Sequence, residues 1–197
     1  SYAANNSDKF NLNGVDVEII DNNNDGDAEY VLFTRETLSE VRTYSEKNET
    51  ISFYAPGYDK NNELANKTVT ETEDFEDVVF NDEVTTDDLI LYVQYGGRTY
   101  LEKPEVVTGE MEHFNVKGTE KYMTVGGEKY KADELKTNAR TEVVKFDVTE
   151  CDKANGVQFE TSYNFYLDDY GNVIAFEEVE AAAKNYALVL DSAFSTN

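Results

Sequence analysis

No tryptophan occurs in this chain, and cysteine and histidine occur once each, as Cys151 and His113. A lone cysteine excludes an internal disulfide and leaves the redox compartment open, because many exported proteins do without such bridges. A lone histidine excludes zinc sites built on repeated His spacing and leaves any Cys or Ser nucleophile a single possible base. Cys151 is read as a small packed residue beside a turn, and His113, between Glu112 and Phe114, as a surface residue of a strand. Neither a Gly-x-Ser-x-Gly elbow nor a Walker loop is present. Without Trp the broad indole faces of sugar clefts are missing, although 14 Tyr and 11 Phe offer other rings. Basic residues are scarce as well: 17 Lys and Arg stand against 41 Asp and Glu, a formal net charge of −24. A surface of that sign repels phosphate backbones and anionic lipid, which excludes nucleic acid as a partner. No apolar run approaches the ~18 residues of a membrane helix, the longest being 89–93 and 186–190, so no membrane insertion is expected.

What is abundant is oxygen-bearing side chains, and they are most concentrated at Asp21-Asn22-Asn23-Asn24-Asp25-Gly26-Asp27-Ala28-Glu29. Positions 1, 3 and 5 of this stretch (Asp21, Asn23, Asp25) can converge on one hard cation while Gly26 supplies a left-handed turn. Asp27 would offer its carbonyl and Glu29 a second carboxylate, which makes Asp21, Asn23, Asp25, Asp27 and Glu29 the candidate ligands of a Ca²⁺ ion. An EF-hand needs a bidentate Glu at position 12, where this chain has Leu32, and the flanks are strand-like. The stretch is similar instead to the Asp-x-Asp-x-Asp-Gly-x-x-Asp calcium hairpins of extracellular β proteins, with Asn23 and Glu29 as departures. The competing reading is a solvated acidic turn, since Asn, Asp and Gly suit any tight turn.

The rest of the pattern is all-β. Val15, Val17 and Ile19 alternate with acids, the period-two mark of a strand with one wet face, and 30–34 returns as its partner. Further strands are expected at 40–44, 51–54, 67–70, 78–80, 89–94, 99–103, 106–114, 121–125, 128–132, 142–148, 162–167 and 172–179. Helical signals are short and confined to 85–89, 132–135 and 179–185. Gly96-Gly97 and Gly126-Gly127, each between β-formers, mark two-residue hairpins, and Asp168-Asp169-Tyr170-Gly171-Asn172 a third. Asp168 and Asp169 could hold a cation, but an ordinary turn explains them without a third ligand. The Thr- and acid-rich stretch 71–77 is the best linker, dividing the chain into an N-terminal β unit, 1–75, and a C-terminal antiparallel barrel or sandwich, 76–197. The chain opens without Met or an apolar leader, as expected of a mature protein or an excised piece.

These residues carry a family resemblance. Residues 17–33, VEIIDNNNDGDAEYVLF, are similar to the segment that opens repeated modules in clostridial cell-surface proteins with S-layer homology domains. DDLILYV (87–93), GGRTY (96–100), VTGE (107–110), VGGEKY (125–130), YLDDYGNVI (166–174) and NYALVLD (185–191) follow in the order of those modules. The resemblance implies a structural or adhesive module, extracellular and associated with the cell wall or S-layer, with no catalytic site to carry over. Its partners would be neighbouring modules of the same longer protein or cell-envelope components. No S-layer homology domain is visible in the chain, so anchoring would lie elsewhere in such a protein.

Two other classes remain open. A glycosidase can hide two working carboxylates among many acids, because that pair is defined by separation in space. A calcium-dependent carbohydrate- or protein-binding module could use Tyr92, Tyr95 and Tyr100, which crowd one hairpin, although such tyrosines more often cover a core or stiffen a sheet.

Overall fold

β-Branched and aromatic residues alternating with acids give fourteen strands among the described residues, and the computed structural model describes 13–58, 64–133 and 143–179. The fold is all-β. β1 (Val15–Ile20) and β2 (Tyr30–Arg35) form a separate antiparallel hairpin, with Ile20 opposite Tyr30 at its tip. β3 (Thr37–Ser45), β4 (Thr50–Tyr58), β5 (Leu64–Asp74), β6 (Val78–Phe80), β7 (Leu89–Tyr95) and β8 (Arg98–Glu102) make one sheet, in the order β5-β4-β3-β7-β8-β6. β9 (Glu105–Asn115), β10 (Tyr122–Val125), β11 (Glu128–Tyr130), β12 (Val144–Lys145), β13 (Ser162–Leu167) and β14 (Val173–Glu178) make the other, in the order β11-β10-β9-β13-β14-β12. All pairings between these strands are antiparallel except β6 with β8.

Each sheet carries a core of its own. In the first, Val41, Ile51, Phe53, Ala55, Ile90 and Leu101 are buried together. In the second, Met111, Met123, Phe146, Val157, Phe165 and Phe176 are buried together. A third, smaller cluster joins the two sheets: Leu38 and Leu91 pack with Tyr166, Ile174 and Ala175. The central strands β3 and β7 are therefore buried on both faces. Leu38 and Leu91 point to the neighbouring sheet, while Val41, Ile90 and Tyr92 point into the first core. The result is a sandwich of two β subdomains joined by an apolar seam.

The Gly-Gly hairpins form as their sequence requires. Gly96 and Gly97 have φ of 62° and 76°, Gly126 and Gly127 of 59° and 82°, the positive pair that a type I′ turn demands. Elsewhere the outcome differs from expectation. The stretch 71–77 is no linker, because β5 runs to Asp74 in register with β4 and a 3-10 turn over Phe75–Asp77 leads directly into β6. Its threonines serve the strand, and its acids Glu71 and Glu73, both half-buried, accept the Gln94 side-chain amide of β7 at 2.8 and 3.3 Å. The break expected at residue 75 consequently falls inside one sheet, and the chain passes to the other sheet between Glu102 and Glu105.

The helical signal at 85–89 resolves into a turn, with the Asp88 carboxylate accepting the Thr85 N–H at 2.8 Å, followed by β7. At 132–135, Ala132 instead bridges Val173 and the Asp133 N–H donates to the Val173 carbonyl at 2.8 Å, while 134–135 lie outside the described residues, as does the signal from 180 onward. The dry face expected of β1 also fails toward its tip, where Ile19 is 67% exposed.

The tightest backbone approach is at Gly156, where an added Cβ would lie 1.8 Å from the Glu150 carbonyl oxygen. Gly156→Ala is expected to cost about 3 kcal/mol or more, because backbone must move. Gly97→Ala, in open space at φ +76°, should cost only about 1 kcal/mol for the left-handed conformation. Urea unfolding of the two variants gives the order, and a smaller loss at Gly156 would contradict this packing.

Candidate calcium hairpin and a second carboxylate cluster

The loop between β1 and β2 is wound about the Asp21 carboxylate. Its Oδ1 accepts the N–H groups of Asn23 (3.2 Å) and Asn24 (2.6 Å), and its Oδ2 that of Gly26 (2.9 Å). Asn23 Oδ1 accepts from Asp25 N and Asp25 Oδ1 from Asp27 N, both at 2.9 Å, a run of Asx turns repeating every two residues. Asn24 and Gly26 take the positive φ values, 64° and 91°. Glu29 closes the loop twice: its N–H donates to the Ile20 carbonyl at 3.0 Å and its Oε2 accepts the Asn22 N–H at 2.7 Å. The Gly26 N–H foremost, helped by the neighbouring amides, holds the Asp21 carboxyl below its usual range.

This winding brings one carboxylate oxygen from each of Asp21, Asp25 and Glu29 within 4.8 Å of one another. Of the expected ligands, those three converge. The Asn23 amide oxygen lies in the same turn network, while the Asp27 carboxylate is not part of the trio. Chemically the loop presents hard carboxylate and amide oxygens to solvent, donors of the kind that Ca²⁺ takes.

A second trio, Glu36, Glu102 and Asp169, also lies within 4.8 Å. Glu36 sits between β2 and β3, Glu102 ends β8, and Asp169 stands in the turn between β13 and β14, so the group forms where the two sheets meet. The Asp169 N–H donates to Glu36 Oε2 at 3.0 Å, and Glu36 is only 5% exposed. Burial, reinforced by the charges of Asp169, Asp168 and Glu102, pushes the Glu36 carboxyl up to about 7 even though the Asp169 N–H opposes the shift. Glu102 is raised too, by burial and then by Asp169. Asp168 is occupied in shaping its own turn: Oδ1 accepts the N–H groups of Tyr170 and Asn172 and Oδ2 the Asn172 side-chain amide. Of this cluster only Asp169 stands in a stretch that the sequence singles out. Glu36 and Glu102 carried no local signal, since only the docking of the sheets brings them to Asp169.

The tyrosines divide between two faces. Tyr92 packs on Phe53 in the core, whereas Tyr95, 61% exposed, stacks on Tyr100 with centroids 4.5 Å apart and planes 7° from parallel. Cys151 is buried in the second core, where loss of solvation pushes its thiol up to about 12. His113 is exposed on β9 beside Tyr122. A thiol so buried and so reluctant to ionise is a poor nucleophile. No protein-family model, curated protein or solved structure matches the chain.

Two outcomes follow from these environments. Because the folded chain raises Glu36 from 4.5 to about 7, the stability it contributes is full below about pH 4.5 and is lost as pH rises through about 7. Glu36→Gln mimics the protonated acid, so the melting-temperature difference between variant and wild type should grow in the variant's favour from pH 5 to pH 8; a pH-independent difference would show that Glu36 is ionised throughout. Cys151 should resist maleimide in the folded chain, and Cys151→Ala should cost no more than about 1–3 kcal/mol by urea unfolding. Rapid labelling under native conditions would contradict its burial.

Proposed function

We propose that the chain is a non-catalytic structural or adhesive module of a bacterial cell-surface, S-layer-like protein, located outside the cell and stabilised by Ca²⁺ in the β1–β2 loop. The observation that carries the calcium reading is the convergence of Asp21, Asp25 and Glu29 within 4.8 Å in a loop whose backbone is wound by its own acids. Three further features support it. The net charge of −24 suits a surface that divalent cations neutralise. A two-stranded hairpin is marginal by itself, and this one exposes Ile19, Tyr30, Val31 and Leu32, so little apolar burial holds its tip. The resemblance of residues 17–33 to clostridial surface modules supplies the setting, with neighbouring modules or envelope components as partners.

A calcium-dependent carbohydrate- or protein-binding module is the second reading. Tyr95, exposed and stacked on the half-buried Tyr100, favours it, since a solvent-facing ring is a platform on which a sugar or apolar side chain can lie. A glycan array separates the two: a specific hit that Tyr95→Ala abolishes favours the binder, and silence favours the structural module.

The calcium reading is tested by thermal melts in EDTA and in millimolar Ca²⁺. Extracellular modules bind Ca²⁺ with dissociation constants of ~10⁻⁴ to 10⁻³ M, so a tenfold excess over that constant should add about 1.4 kcal/mol by mass action. Mg²⁺ should add less, and Asp21→Ala and Asp25→Ala should remove the calcium increment. A wild-type melting point unchanged across the titration would reduce the loop to an acidic turn.

A further inference from the structure

The β7–β8 hairpin holds the longest acid-free run of the chain, LILYVQYGGRTYL at 89–101. Core burial accounts for only half of it. Register places Tyr95 opposite Arg98, and Tyr100 opposite both Val93 and Val79, so these five residues share the face on which Leu91 meets the other sheet. Cover ends beyond Leu91. Val79, Val93 and Tyr100 are half-buried, while Tyr95 and Arg98 at the outer end are exposed. The apolar seam therefore continues into solvent as a strip of two valines and two stacked tyrosines that ends on a guanidinium.

A second uncovered face on the same molecule is its counterpart. In the β1–β2 hairpin Glu18 stands opposite Leu32 and Ile20 opposite Tyr30, and Glu18, Tyr30 and Leu32 are all exposed. Among the described residues no further strand pairs with this hairpin. The two faces are alike in apolar character and opposite in charge, one offering a carboxylate beside its apolar groups and the other a guanidinium. Among the described residues neither Arg98 nor Glu18 makes an ion pair or a side-chain hydrogen bond, although the chain holds 41 acids that could pair with the arginine. Exposed Tyr and Arg in an acid-free patch are the composition of an interface core, where aromatic and Arg anchors are enriched and Asp and Glu depleted.

We propose that these faces bind each other between copies: the β1–β2 hairpin of one chain lies on the Tyr95–Arg98–Tyr100 face of a second, with Glu18 on Arg98 and Tyr30 and Leu32 on the tyrosines. Apolar and aromatic contact supplies the attraction, and the exposed ion pair, weak by itself, sets register and direction. The contact is head-to-tail. Because the two faces differ, copies add into an open chain unless the rotation between them closes a ring. Each copy carries −24, so association needs salt to screen the repulsion, as it does over about 8 Å at physiological ionic strength. The proposal rests on the structural-module reading for its setting, but the contact itself needs no Ca²⁺.

The test is sedimentation velocity of the whole chain at physiological salt, from micromolar to millimolar protein, where the average sedimentation coefficient should rise with concentration. Arg98→Glu and Glu18→Arg each set like charges against one another and should weaken association about tenfold, and Tyr95→Ala should weaken it by removing the platform. Lys117→Glu makes the same kind of charge reversal at an exposed residue outside both faces and should change nothing. Two rescues are specific to a head-to-tail contact. Arg98→Glu combined with Glu18→Arg in one chain, and an equimolar mixture of the two single variants, should both associate again, since each sets opposite charges together. A wild type that stays monomeric, a loss in Arg98→Glu that Glu18→Arg does not share, an equal loss in Lys117→Glu, or no rescue in the mixture would each overturn the proposal. Should the doubly substituted chain fail to fold, the mixture decides. A monomer with a silent glycan array overturns the contact and leaves the structural-module reading in place, whereas a monomer with a glycan hit that Tyr95→Ala abolishes overturns both and gives the face to a saccharide.

Discussion

The apolar seam of Leu38 and Leu91 against Tyr166, Ile174 and Ala175 is the contact on which the other features of the molecule depend. Each sheet has its own core, and the seam holds the smallest of the three buried clusters. It is needed to make the sites. β3 and β7 lie at the centre of their sheet and present apolar residues to both faces, which is why a second layer must cover them. Once it does, whatever flanks Leu38 and Leu91 along the same face is forced against the other sheet. Glu36 and Glu102 meet Asp169 on one side of the seam, and Glu40 and Glu177 line a cavity on the other. Desolvation that stabilises the leucines is therefore the same desolvation that raises Glu36.

An acid-rich chain meets this constraint repeatedly, and its solutions differ with burial. In the exposed β1–β2 loop, carboxylates are satisfied by backbone amides, and Asp21 is held below its usual range at little cost because water is present. Asp168 follows the same strategy in a buried turn, using both oxygens on local donors. Glu36 has one backbone donor and two carboxylate neighbours, too few donors for its burial, so protonation becomes the remaining means of neutralising it. Glu177 is matched by a hydroxyl and an amide, from Tyr166 and Asn164, both on Oε1. What separates these acids is how many donors the fold itself provides.

Most of the strands could be read along the sequence because their signals are local. Val-rich alternation, the paired glycines and the Asp168–Asn172 turn each depend on residues within a few positions. The acidic loop was legible for the same reason, since its acids and its glycine fall within 21–29. What escaped was whatever depends on pairing at long range. The stretch 71–77 reads as a linker by composition and is strand only because β4 lies beside it. The parallel pairing of β6 with β8 has no period or turn to announce it. Glu36 is one acid among 41 until a turn more than a hundred residues later is laid over it. The exposed face of β1 escaped for the opposite reason: alternation describes a strand able to bury one side, and nothing local says whether a layer is there to receive it.

The position of the β1–β2 hairpin gives its loop a reach beyond its size. At its base Asn13 donates through Nδ2 to the Ala132 carbonyl at 3.2 Å, and Gly14 lies so close to Asp133 that an added Cβ would fall 2.1 Å from the carboxylate. Both contacts tie the start of β1 to the second subdomain. The other strand of the hairpin, β2, continues through Glu36 directly into β3 of the first. The hairpin is thus attached to both subdomains at its base, while its tip is held by the turn network of residues 21–29 and little apolar burial. Anything that stiffens the loop lowers the entropy of a segment that bridges the seam, so its effect is not confined to the loop. A cation held by Asp21, Asp25 and Glu29 would therefore act on the joint between the sheets without touching it, through β2 and the backbone that places Glu36.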